Sequence, residues 1–288
     1  MTTPACCPEG SWPQLLRPNE ELNKDDAPPP KGTLVTTKTE TGDDLPIYFV
    51  QTKEKTIGSI MVLPDIYSVR VLTSHVRSGD RIGSICDALA EAGYAVALPS
   101  VFRDKPYDVA IKGPEDGDFL AFDSFAQDGG VDWFKSQSYD KLGPDVKACA
   151  AFLKEKTNGQ PMGVLGFCFG VWLLSKASST GDVDFACAVG CHPATVLEAA
   201  VFGRDEMEMI NAMKQPTKFL LAGNDSPIYK EGGDGKKALE KSGGGVTEYP
   251  DMLHGWVSRG DVSNEKVKVS VEKAINELVS FFSKNLAN

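Results

Sequence analysis

Residues Met162 to Leu174 read M-G-V-L-G-F-C-F-G-V-W-L-L, and this stretch limits the possible folds more sharply than any other in the chain. A short apolar run, Met162 to Leu165, enters Gly166-Phe167-Cys168-Phe169-Gly170, and an apolar helical pattern leaves it. The pattern is that of a strand, a sharp turn and a helix: a nucleophile elbow with Cys in the place where Ser is usual. Such a turn needs small residues two before and two after the nucleophile, because strand and helix backbones pack together there. The nucleophile takes a strained backbone and presents its side chain at the carboxyl end of a sheet. The N–H of the next residue, Phe169, points toward a forming oxyanion. It also opens a helix, whose dipole favours negative charge and lowers a thiol pKa. The same pentapeptide is also compatible with an inert core Cys among Val, Leu and Phe. The rest of the chain must supply an acid and then a histidine for the catalytic reading to hold.

The 288 residues suit one large α/β domain or two small ones, and 41% hydrophobic content supports a substantial core. A net charge of −10 without any Lys/Arg cluster argues against a nucleic acid partner. No apolar run reaches the ~18 residues of a membrane span. Met1 to Leu16 has neither a basic n-region nor an apolar h-region, so no secretory signal is expected. The seven Cys are an odd number, and Cys86, Cys149 and Cys187 sit in apolar surroundings. Reduced thiols in a reducing compartment, the cytoplasm, fit this better than a disulfide framework.

Met1 to Lys31 reads as an extended lead-in, interrupted by Pro4, Pro8, Pro13, Pro18 and Pro28-Pro29-Pro30. Its adjacent Cys6-Cys7 lack metal-site spacing and fit a surface segment better. Residues 32–288 read as a single domain. Thr33 to Thr39 and Leu45 to Gln51 are expected to form a hairpin through Glu40-Thr41-Gly42-Asp43. Ile57 to Leu63 suits a buried parallel strand. Ser78 to Ala92 has helical spacing and leads to a strand at Tyr94 to Leu98, completing a βαβ unit. Val101 to Gly143 is irregular, rich in Gly and aromatics, and reads as an active-site cover. Helices are expected over Asp145 to Lys156, Thr195 to Met213 with a possible break at Gly203, Tyr229 to Lys241 broken at Gly232-Gly233, and Asn264 to Leu286. Strands are expected at Asp184 to Val189, Thr217 to Ala222 and Gly245 to Tyr249.

Functional residues of a parallel sheet gather at the carboxyl ends of its strands. Four such ends carry Asp65, Cys168, Asp225 and His254. The last three stand in the order nucleophile, acid, histidine, and each interval leaves room for the intervening strands and helices. Cys168 would attack a carbonyl as thiolate, His254 would take and return the proton, and Asp225 would fix the imidazole tautomer. Asp225 also fits a plain turn, Asn224-Asp225-Ser226-Pro227. Of the other two histidines, His75 reads as a surface residue and His192 as a candidate for lining the pocket. Tyr67 and Trp256, next to strand ends, join it as candidate substrate-binding residues.

These residues together resemble the dienelactone hydrolase family. The resemblance runs from about Thr33 to the C-terminus and rests on Gly166-Phe167-Cys168-Phe169-Gly170, on Gly223-Asn224-Asp225, and on His254-Gly255-Trp256 with Arg259 close behind. Cys6-Cys7 and Cys191-His192-Pro193 are similar to its eukaryotic branch. The resemblance implies an α/β-hydrolase fold, a mostly parallel sheet of about eight strands flanked by helices on both faces. It implies a monomer that opens a lactone or small activated ester with a Cys-His-Asp triad and no metal or organic cofactor. Asp65 falls where bacterial members carry a Glu that interacts with the nucleophile thiol; Asp is one methylene shorter. Ile66 would supply the second oxyanion N–H beside that of Phe169. Bacterial members bind a substrate carboxylate with two Arg, for which Arg103 and Arg259 are the candidates; both also fit solvated surface positions. A different class remains open, a non-catalytic or redox-sensing protein on the same fold, prompted by the activated thiol, Cys6-Cys7 and Cys191.

Overall fold

The structure is a computed structural model, and it describes residues 30–66, 81–103 and 130–286. Eight strands form one sheet in the order β1-β2-β4-β3-β5-β6-β7-β8. β1 (Thr33–Lys38) and β2 (Asp44–Val50) are an antiparallel hairpin, with Thr33 opposite Phe49 and Lys38 opposite Asp44. The hairpin turns at the expected residues, where Thr39 N–H donates to the Asp43 carbonyl at 2.9 Å. β2 lies antiparallel to β4 (Ala95–Pro99). From there the sheet is parallel through β3 (Ser59–Leu63), β5 (Met162–Phe167), β6 (Cys187–Cys191), β7 (Thr217–Ala222) and β8 (Gly245–Tyr249).

The central strands read as apolar runs because both of their faces are covered. Every residue of β3, β4, β5 and β6 is buried. On one face Ile60, Val62, Leu165, Phe167 and Val189 meet α1 (Arg81–Glu91), α8 (Trp256–Arg259) and α9 (Glu265–Leu286). On the other face Met61, Leu63, Val164, Ala188 and Phe219 meet α3 (Tyr139–Lys156), α4 (Phe169–Thr180) and α6 (Glu206–Ala212). The smaller α2 (Gly130–Ser136), α5 (Leu197–Ala200) and α7 (Asp234–Lys241) complete the layers. α9 buries Val267, Val271, Ala274, Leu278, Phe282 and Leu286, one stripe at helical spacing.

Two elements, α3 and β6, differ from the sequence expectation. α3 begins at Tyr139 and runs through Gly143 and Pro144. Tyr139, Leu142, Val146, Cys149 and Leu153 form one buried stripe, and that burial outweighs the local helix-breaking residues. The break allowed at Gly203 in the Thr195 to Met213 pattern is present: the segment forms two helices, α5 and α6, with Gly203 at φ 64° between them. Asp205 caps the second, accepting from Met207 N at 2.7 Å and Glu208 N at 3.1 Å. The strand expected at Asp184 to Val189 runs from Cys187 to Cys191, which carries its end to His192. Of the irregular Val101 to Gly143 stretch, residues 104–129 lie outside the described residues, and 130–136 are helical. Cys6-Cys7, His75 and Tyr67 also lie outside them.

Candidate active site

The elbow has the expected backbone. Cys168 stands between β5 and α4 at φ 52° and ψ −111°, a conformation that L residues rarely adopt and that costs about 1–3 kcal/mol. Its surroundings hold it there. The Cys168 N–H donates to the Cys191 carbonyl at 3.1 Å, and its own carbonyl accepts from Val171 N at 3.0 Å and Ala194 N at 3.2 Å. The flanking glycines are required by close approach. A Cβ on Gly170 would lie 2.2 Å from the Leu63 carbonyl oxygen, and one on Gly166 would lie 2.6 Å from the Gly170 backbone. The first residue of α4, Phe169, is buried, and its ring packs against Phe102, Phe134 and Trp172 at 5.0–5.8 Å.

Asp225 follows β7, and its Oδ2 accepts from the backbone N–H of Ala222, three residues earlier, at 2.6 Å. Its Oδ1 lies 2.5 Å from His254 Nδ1, and both side chains are buried. A carboxylate acceptor at Nδ1 fixes the proton there and leaves Nε2 as the basic nitrogen. Asn224, next to the acid, accepts from the His254 backbone N–H at 2.7 Å and so aligns the loop carrying the histidine. That role was not read from the sequence, although Asn224 lies within the strand-end motif. Behind it, Thr195 Oγ1 and Tyr229 OH lie 2.8 Å apart, and the Tyr229 hydroxyl donates to Glu206 at 3.2 Å. This bridge joins the loops after β6 and β7, and burial raises the Glu206 carboxyl above its usual range.

Asp65 and Arg259, singled out separately, come together. Asp65 Oδ2 accepts from Arg259 Nε at 3.2 Å and from Ser258 Oγ at 3.0 Å. Ser258 carries no signal in the sequence beyond its place four residues past the histidine. Ile66 is fully buried beside Asp65 at the end of β3. The structure gives Arg103 a protein partner. Its guanidinium forms a bidentate pair with Asp145 of α3 at 2.6 and 2.7 Å, and Nη1 also donates to the Ser100 carbonyl. Burial raises the Asp145 carboxyl against the pull of Arg103. Trp256 is buried as the first residue of α8 and packs on Tyr249 at 4.4 Å.

His192 follows β6 at φ 42°, and its backbone N–H donates to the Leu220 carbonyl at 2.8 Å. Its ring meets the His254 ring edge-on at 5.2 Å and lies 6.0 Å from Phe167. The fully enclosed imidazole is held well below the usual His range, by desolvation first and then by His254 and Arg259. The five described cysteines are buried and form no disulfide. Burial raises the Cys149 and Cys191 thiols and pushes Cys187 up to about 12, so these three are poor nucleophiles. Among the described residues no cluster of three His, Cys, Asp or Glu could hold a metal ion, and no helix is long and apolar enough to cross a membrane.

The pattern of the dienelactone hydrolase family matches residues 45–286, which takes in the elbow, the Asp225–His254 pair and Asp65. The chain belongs to the dienelactone hydrolase family. An uncharacterised AIM2 family protein of Schizosaccharomyces pombe is 30% identical over 70% of this chain and 76% of its own length. A carboxymethylenebutenolidase homolog of Rattus norvegicus is 28% identical over 51% of each chain, so this chain spans about half the length of that curated relative. Among solved structures, a dienelactone hydrolase from Anabaena variabilis superposes with a TM-score of 0.58 at 15% identity, covering 89% of this chain and 99% of that one. That likeness establishes the α/β-hydrolase fold that the dienelactone hydrolase resemblance implied.

Proposed function

We propose that the protein is a carboxylic ester hydrolase that opens a lactone or small activated ester without a cofactor, through Cys168. The observation that carries this reading is the buried Asp225–His254 pair, 2.5 Å apart, at the same carboxyl end of the sheet as the elbow that holds Cys168 at φ 52°. His254 Nε2 takes the thiol proton as the Cys168 sulfur attacks the substrate carbonyl. The N–H groups of Phe169 and Ile66 stabilise the oxyanion. Collapse breaks the C–O bond, gives a thioester on Cys168, and passes the proton from His254 to the leaving oxygen. Water then attacks the thioester with His254 as base, releasing the acid and restoring the thiol. Asp65 helps ionise the thiol, and its Arg259 and Ser258 contacts hold the carboxylate at the end of β3.

A thiolate is a good nucleophile, and its thioester forms readily from enol esters and lactones but not from amides. This is the chemistry the relative's name, carboxymethylenebutenolidase homolog, also points to. Buried thiols outside any disulfide support a reducing, cytoplasmic setting. The protein acts as a monomer on a small molecule. The test is turnover of p-nitrophenyl acetate and of a dienelactone by the wild type and by Cys168→Ala. The expected outcome is a loss of at least about a thousandfold in kcat/KM. Equal rates in the two proteins would overturn the reading.

A further inference from the structure

The loops after β6 and β7 meet through polar side chains set in an apolar core. Thr195 and Tyr229 are fully buried, and the Tyr229 ring packs edge-on against Phe219 of β7 at 5.1 Å. Their hydroxyls lie 2.8 Å apart, and Tyr229 donates onward to Glu206, the first residue of α6, at 3.2 Å. Such a group is costly to bury. Desolvation is the largest influence on the Glu206 carboxyl and raises it; the Thr195 and Tyr229 hydroxyls pull it down, and Asp205 and Glu198 push it up again. A hydrogen bond returns little net stability, and apolar groups of the same shape are close to neutral in its place. Phe at 229 and Val at 195 would fill this space. Stability therefore gives little reason for the hydroxyls, whereas a satisfied buried network fixes one arrangement of the elements it joins.

The elements joined here hold the candidate catalytic groups. On the β6 side, Ala194, next to Thr195, donates its N–H to the Cys168 carbonyl at 3.2 Å. On the β7 side, Tyr229 ends the 3₁₀ turn Pro227–Tyr229, which starts two residues after Asp225, and its N–H donates to the Ser226 carbonyl at 3.3 Å. Lys230 Nζ donates back to the Gly223 carbonyl, which closes the loop carrying Asn224 and Asp225. The same loop is tied to the histidine segment, because Gly223 N–H donates to the Met252 carbonyl at 2.8 Å. The Thr195–Tyr229 contact thus connects the elbow of the nucleophile to the loop that holds the acid and, through it, the histidine.

We propose that Tyr229, through its hydroxyl bridge to Thr195, is a positioning residue that holds the Asp225–His254 pair in line with Cys168. This deepens the hydrolase reading above and rests on it. Tyr229→Phe keeps the ring and removes the hydroxyl. With p-nitrophenyl acetate its kcat is expected to fall by about tenfold and its KM to stay within about twofold, with the urea midpoint close to that of the wild type. Thr195→Val is expected to match it, and Thr195→Ser, which keeps the hydroxyl, to recover most of the loss. The double variant Thr195→Val/Tyr229→Phe is expected to be no slower than either single variant, because both remove one bridge. A wild-type kcat in Tyr229→Phe, or losses that multiply in the double variant, overturns the proposal.

A second measurement is independent of turnover. The proton on His254 Nδ1, held against Asp225 at 2.5 Å, resonates far downfield in spectra of 15N-histidine protein, and the chain has three histidines to assign. In Tyr229→Phe this resonance is expected to move upfield and to exchange faster with water; in Thr195→Ser it is expected to return toward its wild-type position. A resonance unmoved in Tyr229→Phe overturns the positioning role even where Cys168-dependent hydrolysis stands. Conversely, equal ester hydrolysis by the wild type and Cys168→Ala sinks the hydrolase mechanism without altering the resonance result.

Discussion

At the scale of single residues, the site depends on a few short polar contacts in a dry environment. Asp225 holds His254 Nδ1 at 2.5 Å and is itself fixed by Ala222 N. Asp225→Asn keeps the shape but favours the wrong tautomer, so kcat should fall by roughly 10³–10⁴ with KM little changed. Steady-state kinetics on an activated ester check this. Much of this geometry is legible in the sequence, because Cys168, Asp225 and His254 lie at strand ends in a fixed order. The partners of the arginines are not. Nothing in the spacing of Arg103 and Asp145, or of Asp65 and Arg259, signals that they pair; only the sheet brings them together. Ser258 and Asn224 are hidden for the same reason: each acts through one hydrogen bond across the fold.

At the scale of the element, the elbow is constrained by backbone contact. The Gly170 Cα sits where any Cβ would meet the Leu63 carbonyl at 2.2 Å, and backbone cannot yield as a flexible side chain can. Gly170→Ala should therefore destabilise the protein by about 2 kcal/mol or more and displace Cys168. Urea denaturation reports the first effect and loss of esterase activity in the folded fraction reports the second. An unchanged denaturation midpoint would contradict this packing. Element types were readable where burial and local pattern agree, as in β3, β5, β7 and α9. The local pattern fails where burial overrides local residues, as in α3 across Gly143-Pro144, whereas Gly203, at positive φ, marks the division between α5 and α6 in the sequence itself.

At the scale of the whole molecule, buried charge and buried imidazole set the response to pH. Glu198 is buried; desolvation opposes its ionisation, but Arg204, Lys176 and Trp172 outweigh it and hold the carboxyl below its ordinary 4.5. Its stabilisation is fully present above pH 4.5 and is lost as pH falls through the lower folded value. Glu198→Gln should cost of the order of 3 kcal/mol at neutral pH and flatten the acid limb of the stability curve. His192 acts over a higher range. Its folded value lies below the ordinary 6.5, so the unfolded chain binds the extra proton first. Stability should be complete above pH 6.5 and decline below it, by up to about 1.4 kcal/mol per pH unit for one proton. Thermal unfolding of the wild type and of His192→Gln between pH 5 and 7 measures the difference; equal slopes would contradict a buried neutral His192.

The proposed mechanism requires Cys168 to form a covalent acyl thioester during ester hydrolysis. Rapid acid quench of the protein with p-nitrophenyl acetate, followed by intact-mass and peptide analysis, tests it most directly. A transient acetyl adduct is expected on the peptide carrying Cys168, absent in Cys168→Ala, which also loses turnover. Continued hydrolysis by Cys168→Ala, with no adduct at Cys168 in the wild type, would contradict it.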